Sequence, residues 1–228
     1  MVSTKVEKIM TRVRNSKERV GRKTVISDEE LEAILTKANK IQNEFYRLRA
    51  LAVISVLRLT GKRRGEVAML ELANFKVEDD RYLSITFTLE KKRKGKVLNK
   101  QSKKLIPLSD SLTKHILKYL SYLRSIPNPP KYFLPRTCQN ILFNLFLIDK
   151  DHHIKGRQVF NIVRKLTDKV WPHLFRETVA SDIIKKDPTL IGIFKVMQRL
   201  DLESYETGFH YLRRFAGDII IREEQKFT

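Results

Sequence analysis

WPHLFRETVASD, residues 171–182, pairs a histidine and an arginine three residues apart. If the residues after Pro172 form a helix, His173 and Arg176 lie on one face and point toward the same place. A group that exchanges protons near neutral pH, beside a permanent cation, suits an anionic substrate. Such a pair is common by chance, so an ordinary surface helix is the alternative unless other residues join it.

The charge of the chain favours a polyanionic partner. Its 228 residues include 46 Lys and Arg against 26 Asp and Glu, which gives a net charge of +20. This balance makes nucleic acid the first candidate. The length suits one compact domain with an irregular N-terminal lead.

Several protein classes are disfavoured by composition. No run of 18 apolar residues is present, and the N-terminus lacks the apolar core of a secretory signal, so we expect a soluble, cytoplasmic protein with no membrane partner. Cys138 is the single cysteine, which argues against disulfides and cysteine metal clusters. The absence of a glycine-rich phosphate loop argues against a nucleotide-binding fold.

The N-terminal half is predicted to be mainly helical. Ser27 and Glu30 form a capping box that begins one helix, and a more apolar helix follows over residues 45–59. Gly61 tolerates the left-handed turn that ends this helix, and residues 62–66 open the next one.

A small antiparallel sheet is predicted next. Its candidate strands are residues 75–77, the alternating residues 82–89, and residues 104–108. Between the last two lies Lys91 to Lys104, which holds eight basic residues and no acid. We expect a loop there, costly to bury and suited to lie along phosphates.

The C-terminal half is again predicted to be helical, so the expected fold class is α+β, mainly α-helical. Helices are expected from Ser109 to the breaker at residues 126–130, over 156–169, from His173, and over 190–200. The apolar residues between the first two are expected in the core: Phe133, Ile141, Leu142, Phe143, Leu145, Phe146 and Leu147.

Residues 1–25 are predicted to form a basic arm or linker, separate from a domain at 26–228. They carry eight basic residues before Thr24 and two acids, Glu7 and Glu18. A solvated amphipathic helix without DNA contact is the alternative, because a charge run alone does not distinguish the two.

Three motifs together resemble those of one known family. Thr60-Gly-Lys-Arg-Arg-Gly-Glu66 looks like T-G-x-R-x-x-E, His173-Leu-Phe-Arg176 looks like H-x-x-R, and Thr207-Gly-Phe-His-Tyr211 looks like T-x-x-x-Y. With the basic stretch between them, they resemble the catalytic domain of the tyrosine recombinases, the phage integrase family. The resemblance covers about residues 25–215.

The chemistry of a phosphodiester explains why such residues are needed. Attack at phosphorus gathers charge on the non-bridging oxygens, which two guanidinium groups hold well, and Arg63 and Arg176 are the candidate pair. Glu66 is expected to orient Arg63. The resemblance implies that Tyr211 is the nucleophile, with Tyr205 as its rival, and that a 3′-phosphotyrosine link forms without cofactor or metal.

The resemblance also implies a lysine that gives a proton to the leaving 5′-oxygen. Lys91 lies nearest to the position of that lysine, and Lys92 is close behind it. The candidate DNA-binding residues are Lys92, Arg93, Lys94, Lys96, Arg157 and Gln158. The expected partner is double-stranded DNA, bound by a homotetramer on paired sites, and the tail at 212–228 is a candidate contact with a neighbouring protomer.

One departure from the family pattern bears on activity. Where the family has a second His or a Trp in an L-G-H-like box, this chain has Leu200-Asp-Leu202. The Leu202 side chain donates no hydrogen bond, so His173 is expected to carry more of the hydrogen bonding and proton transfer. A non-catalytic DNA-binding relative is therefore an alternative. The other alternative is a type IB topoisomerase.

The remaining histidines are expected to lie outside the active site. His115, His152 and His153 fit no motif, and His210 is expected to point away from the site. Many members also carry a further N-terminal DNA-binding domain, so we expect either part of a longer protein or a minimal recombinase.

Overall fold

The computed structural model describes residues 25–93, 96–140 and 145–224, with side chains described over 25–89, 100–138 and 147–215. The predicted basic arm at residues 1–25 therefore lies, except for Val25, outside the described residues. The described part is mainly α-helical with two small antiparallel sheets, which confirms the predicted fold class.

The helices are α1 Asp28–Asn39, α2 Glu44–Thr60, α3 Arg64–Ala68, α4 Ser111–Ser125, α5 Gly156–Leu166, α6 Pro172–Lys186, α7 Leu190–Leu200 and α8 Tyr205–Glu224. Ser27 and Glu30 form the predicted capping box of α1. Helix α5 ends three residues before the predicted end, at Leu166. None of the helices in these ranges is both long and apolar enough to cross a bilayer.

The end of α2 depends on Gly61. Its backbone has φ 63°, the left-handed conformation predicted for this turn. A Cβ at this position would lie 2.5 Å from Leu200 and 3.4 Å from Val179. Glycine therefore lets the end of α2 approach both α6 and α7 closely.

The first sheet has strands β1 Phe75–Glu78, β2 Tyr82–Arg93 and β3 Lys96–Pro107, in the order β1-β2-β3. Alternate residues of β2 face the core, as predicted, and they are Leu83, Ile85, Phe87 and Leu89. In the neighbouring strand, Leu83 pairs with Ile106 and Ile85 pairs with Lys104.

The predicted loop over Lys91 to Lys104 is wrong. Strands β2 and β3 stay paired as far as Arg93 and Lys96, so most of this stretch is part of a long hairpin. Backbone hydrogen bonds alone can hold two paired strands together, so the strands need no alternation of apolar side chains. The search for such alternation therefore did not detect this hairpin. Lys104 was expected to be exposed, but it is 6% exposed because it faces the core side of β3 beside Asp201.

The second sheet was not predicted. Strands β4 Pro135–Asn140 and β5 Leu145–His153 form an antiparallel hairpin between α4 and α5. Phe133 is buried as expected, whereas Leu147 was expected in the core and is 45% exposed. Its position in a two-stranded ribbon leaves one face open to solvent.

Apolar side chains form two clusters. The larger one packs α2, α4, α5 and the first sheet together. The smaller one lies between α6, α7 and α8, and its buried members are Val179, Ala180, Ile184, Ile193, Val196, Leu200 and Tyr211. The smaller cluster thus holds the predicted nucleophile against the helix that carries His173 and Arg176.

Candidate active site

Arg63 lies in the turn between α2 and α3. The Thr60 hydroxyl donates to the carbonyl oxygen of Val56 (2.6 Å) and accepts from the amide of Lys62 (3.3 Å), which shapes the turn. Glu66 accepts from both the Arg63 amide (2.9 Å) and its guanidinium (3.0 Å). Glu66 therefore contacts Arg63 as expected, and the Arg63 side chain remains 57% exposed.

Arg176 lies in the first turns of α6 and is 2% exposed. Its guanidinium donates to the carbonyl oxygen of Gly61 (2.9 Å) and to that of Leu200 (2.6 Å). Burial, followed by the charge of Arg63, lowers the pKa of Arg176 from its usual value, but an arginine stays protonated at neutral pH. The two carbonyl bonds use only part of its donor set, so it remains able to hold an anion.

Tyr211 is positioned by the packing of α8 against α6 and α7. Its side chain is 7% exposed and stacks on Phe215 with ring centroids 6.2 Å apart. Gly208, one turn earlier, permits this packing because a Cβ there would lie 2.7 Å from Ile193. The Tyr211 phenol lies beside the Arg176 guanidinium and opposes part of the lowering of the pKa of Arg176.

Glu177 joins the predicted site and was missed from the sequence. Its carboxylate lies 3.5 Å from the ring of His173 and 3.2 Å from Arg214 of α8. Helical spacing contained a signal for both residues, since Glu177 is four residues after His173 and Arg214 is three after Tyr211. Glu177 thus links the helix of His173 to the helix of Tyr211.

The imidazole of His173 has a lowered pKa. Partial burial is the main cause, Glu177 opposes it, and the charges of Arg176, Arg63 and Arg214 add to it. We expect Glu177→Gln to lower this pKa further, because the substitution removes the negative charge that stabilises the imidazolium. Titrating the ring signals by NMR measures the shift, with His115 as an unaffected internal control. An unchanged or raised pKa would contradict the assignment of Glu177.

The lowered pKa of His173 also predicts how this residue affects the stability of the protein. Its pKa is lower in the folded protein than in the unfolded chain, so protonation favours the unfolded state. The stabilising contribution is therefore present above the unfolded pKa of about 6.5 and declines as the pH falls toward the folded value.

Four of the predicted catalytic residues come together. The charges of Arg63 and Arg176 help to lower the pKa of His173, and Tyr211 is near enough to oppose the lowering of the pKa of Arg176. The side chain of Lys91 lies outside the described ones, as do those of Lys92, Arg93 and Lys96, and Lys94 lies outside the described residues altogether.

The candidate DNA-binding residues on α5 are exposed. Arg157 lies over the ring of Phe160, 5.0 Å from its centroid. Gln158 uses its side-chain oxygen to accept from the Lys155 amide at 2.7 Å, which caps the helix. Gly156 places α5 against α3, since a Cβ there would lie 3.3 Å from Gly65. Helix α5 therefore begins beside the helix that follows Arg63.

The rival nucleophile is placed differently. Tyr205 is 59% exposed and packs edge-on against Phe194, with centroids 5.9 Å apart. Six residues separate it from Tyr211, which puts the two on different faces of α8. His210 is exposed, and its ring lies edge-on to that of Tyr211, with centroids 6.2 Å apart.

The departure at residues 200–202 has a defined geometry. Asp201 ends α7 with φ 50°, a left-handed conformation that the glycine of an L-G-H-like box also adopts easily. Leu202 is half-buried and packs on the smaller apolar cluster. Within the part of the chain that the structure describes, no three His, Cys, Asp or Glu side chains form a group that could hold a metal ion.

Comparisons with known proteins show a fold shared with other solved structures. Similar solved structures include those of XerA recombinase (20% identity, TM-score 0.55, covering 84% of this chain and 60% of that chain) and XerH site-specific recombinase bound to difH substrate in a pre-cleavage complex (19%, 0.56, 83% and 50%). A post-cleavage complex of XerH on palindromic difH is also similar (19%, 0.60, 86% and 51%). These likenesses show the shared fold, and the chain spans about half to three-fifths of the length of those proteins.

No curated protein matches the chain by sequence. The sequence model of the phage integrase family, however, matches residues 24–217, which include the arginine pair, His173 and Tyr211. The chain therefore belongs to the phage integrase family.

Proposed function

We propose that this protein is a site-specific recombinase that cuts and rejoins double-stranded DNA through a 3′-phosphotyrosine intermediate on Tyr211. The observation that carries the proposal is the position of the Tyr211 phenol beside the guanidinium of Arg176. Arg63 and His173 belong to the same site, and family membership supports the assignment. The fold shared with XerA and XerH recombinases is consistent with it.

The proposed cleavage is an in-line displacement at phosphorus. The bond between the Tyr211 oxygen and phosphorus forms while the bond from phosphorus to the 5′-oxygen breaks. His173 accepts the phenolic proton, for which its lowered pKa keeps the ring neutral near pH 7. Lys91 donates a proton to the departing 5′-oxygen. Attack by a 5′-hydroxyl reverses these steps, and the phosphodiester energy is kept in the phosphotyrosine link.

The two arginines stabilise the charge that develops on the non-bridging oxygens. Arg176 is held from behind by two carbonyl oxygens, so it costs little reorganisation when phosphate binds. Arg63 is exposed and is oriented by Glu66. With Leu202 in place of a further donor, His173 carries more of the hydrogen bonding to phosphate.

We propose that the remaining basic residues bind the DNA backbone. The net charge of +20 supports this, and the candidates are Lys92, Arg93, Lys94, Lys96, Arg157 and Gln158, together with residues 1–25. Residues 26–228 then form the catalytic unit. Recombination exchanges strands between two paired sites, so we propose a homotetramer, with the tail at 212–228 contacting a neighbour.

The proposal is tested by covalent trapping. A binding site is first selected from random duplex DNA and then rebuilt as a 5′-labelled substrate with a nick beside the candidate cleavage position, so that the cut fragment is lost and religation is prevented. We expect a protease-sensitive labelled adduct on a denaturing gel. DNA binding without an adduct would favour a non-catalytic relative, for which Leu202 is the supporting observation. Relaxation of any plasmid without sequence preference would favour a type IB topoisomerase.

A further inference from the structure

A cluster of buried polar side chains lies next to the two backbone carbonyl groups that bind Arg176, and the proposed mechanism does not use it. Asp201 is at its centre, at the end of α7. Its carboxylate accepts from the ammonium group of Lys62, from the Ser102 hydroxyl at 2.7 Å, and from Lys104 at 3.0 Å. Lys62 also donates to Ser102 at 3.0 Å, and Lys104 donates to the carbonyl oxygen of Gln198 at 2.6 Å. We call these four side chains the Asp201 cluster.

The Asp201 cluster is largely buried. The Lys62 side chain is 0% exposed, that of Lys104 is 6% exposed and that of Asp201 is 17% exposed. Lys62 also lies over the ring of Phe87, 4.6 Å from its centroid. Two buried ammonium groups repel each other, so removal of the carboxylate between them would leave both without compensation.

The pKa values in the cluster follow from this burial. Burial lowers the pKa of Lys62 and of Lys104, and the contacts with Asp201 oppose it. Burial by itself raises the pKa of Asp201, but hydrogen bonds from Lys62, Ser102 and Lys104 outweigh it, so the pKa lies below its usual value. The carboxylate is therefore charged at neutral pH.

The cluster joins the two backbone segments that hold Arg176. The guanidinium of Arg176 binds the carbonyl oxygens of Gly61 and Leu200, and the next residues along the chain are Lys62 and Asp201. The ion pair between Lys62 and Asp201 thus links the two segments next to those carbonyl groups. Ser102 and Lys104 bind Asp201 from β3, which with β2 forms the hairpin rich in basic residues; we call it the basic hairpin.

We propose that Asp201 is a positioning residue, which, through Lys62, Ser102 and Lys104, sets the Arg176 guanidinium and the basic hairpin in the geometry that the scissile phosphate requires. The proposal rests on the proposed recombinase function. It assigns a use to the second departure from the L-G-H-like box: at the position of its glycine, Asp201 supplies a carboxylate that binds to two other parts of the catalytic domain.

The first test separates positioning from stability. Asp201→Asn keeps the size and tolerates the left-handed backbone, but leaves two buried lysines unpaired. We expect covalent trapping to slow by about 10- to 100-fold, the range that small misplacement of a catalytic group produces, with a lowered thermal midpoint. Asp182→Asn is the matched control, because Asp182 pairs with Arg58 at 2.7 Å outside the cluster. Its trapping rate should stay within about twofold of the unmodified protein.

The decisive variant combines Lys62→Met, Lys104→Met and Asp201→Asn, so that no charge remains buried in the cluster. If the cluster positions Arg176, this variant should regain thermal stability while its trapping rate stays low. Recovery of stability and trapping rate together would overturn the proposal, as would an Asp201→Asn variant that traps at the original rate. Rates are compared well below the lowest thermal midpoint, so every variant is folded.

Ser102→Ala covers the case in which the triple variant does not regain stability. It removes the hydroxyl that donates to Asp201 and accepts from Lys62, but it keeps the ion pair between Lys62 and Asp201. We therefore expect a trapping rate lower by on the order of 3- to 10-fold, with only a small change in the thermal midpoint. An unchanged rate with a lowered midpoint would assign the cluster a structural role alone.

A further measurement does not depend on DNA cleavage. The Nε–H signal of Arg176 in the ¹H–¹⁵N NMR spectrum, assigned by its loss in Arg176→Lys, should shift or broaden in Asp201→Asn but not in Asp182→Asn. If the unmodified protein traps no DNA, the recombinase proposal fails while this signal still tests the positioning of Arg176. An unchanged signal in Asp201→Asn would refute the positioning proposal, whatever the protein does to DNA.

Discussion

Tyr211→Phe is expected to abolish the covalent adduct, with a loss of trapping on the order of 10⁴-fold or more, as the removal of a nucleophile does in other covalent enzymes. Phenylalanine retains the ring that packs on Phe215 and in the smaller apolar cluster, so folding should be preserved. DNA affinity should change by less than about threefold, since the hydroxyl is one group among many basic contacts. Trapping on nicked DNA and a gel-shift titration measure the two effects.

Tyr205→Phe is the matched control for this prediction. It makes the same chemical change on the same helix, at a residue that is 59% exposed and packs on Phe194. Its trapping should match that of the unmodified protein. An adduct that persists in Tyr211→Phe and disappears in Tyr205→Phe would transfer the nucleophile assignment to Tyr205.

Arg176→Lys is expected to impair both cleavage and stability. A lysine carries the charge but lacks the planar set of donors of an arginine. It therefore cannot bind the carbonyl oxygens of Gly61 and Leu200 and a phosphate at the same time. Loss of an electrostatic donor should slow trapping by about 10²- to 10³-fold. A buried carbonyl group left without a donor should lower the free energy of unfolding by about 1–3 kcal/mol.

Arg63→Lys provides the comparison for Arg176→Lys. Arg63 is 57% exposed and is bound by Glu66 of the following helix α3, so its replacement should slow trapping without a measurable change in unfolding. Denaturant unfolding of both variants, beside trapping rates on the same substrate, separates the two effects. Equal stability losses would contradict the different burial of the two arginines.

The predictions that the structure confirms concern local structure. The capping box of Ser27, the left-handed Gly61 and the helix through His173 and Arg176 depend on neighbours within one or two turns. Such local contacts can be predicted from the spacing of residues along the chain. The same holds for the motifs, which lie within the residues that the family model matches, although the similar solved structures are at most 20% identical to this chain.

The predictions that failed concern strands. The hairpin of β2 and β3 extends beyond the apolar alternation of β2, and the hairpin of β4 and β5 has no clear alternation. Strand pairing is decided by a partner elsewhere in the chain, and a ribbon with both faces partly in solvent needs no apolar period. A run of lysines therefore looked like a loop although its backbone is paired.

From the sequence alone follow the mainly helical fold, the basic character, and the residue types of the proposed reaction: two arginines, a histidine and a tyrosine. Only the tertiary structure decided how they are held. The carbonyl partners of Arg176 lie 115 and 24 residues away, and Asp201 binds Lys62 across 139 residues. No periodicity encodes such contacts, because they depend on which buried groups meet when helices and strands pack and on the need to pair every buried charge.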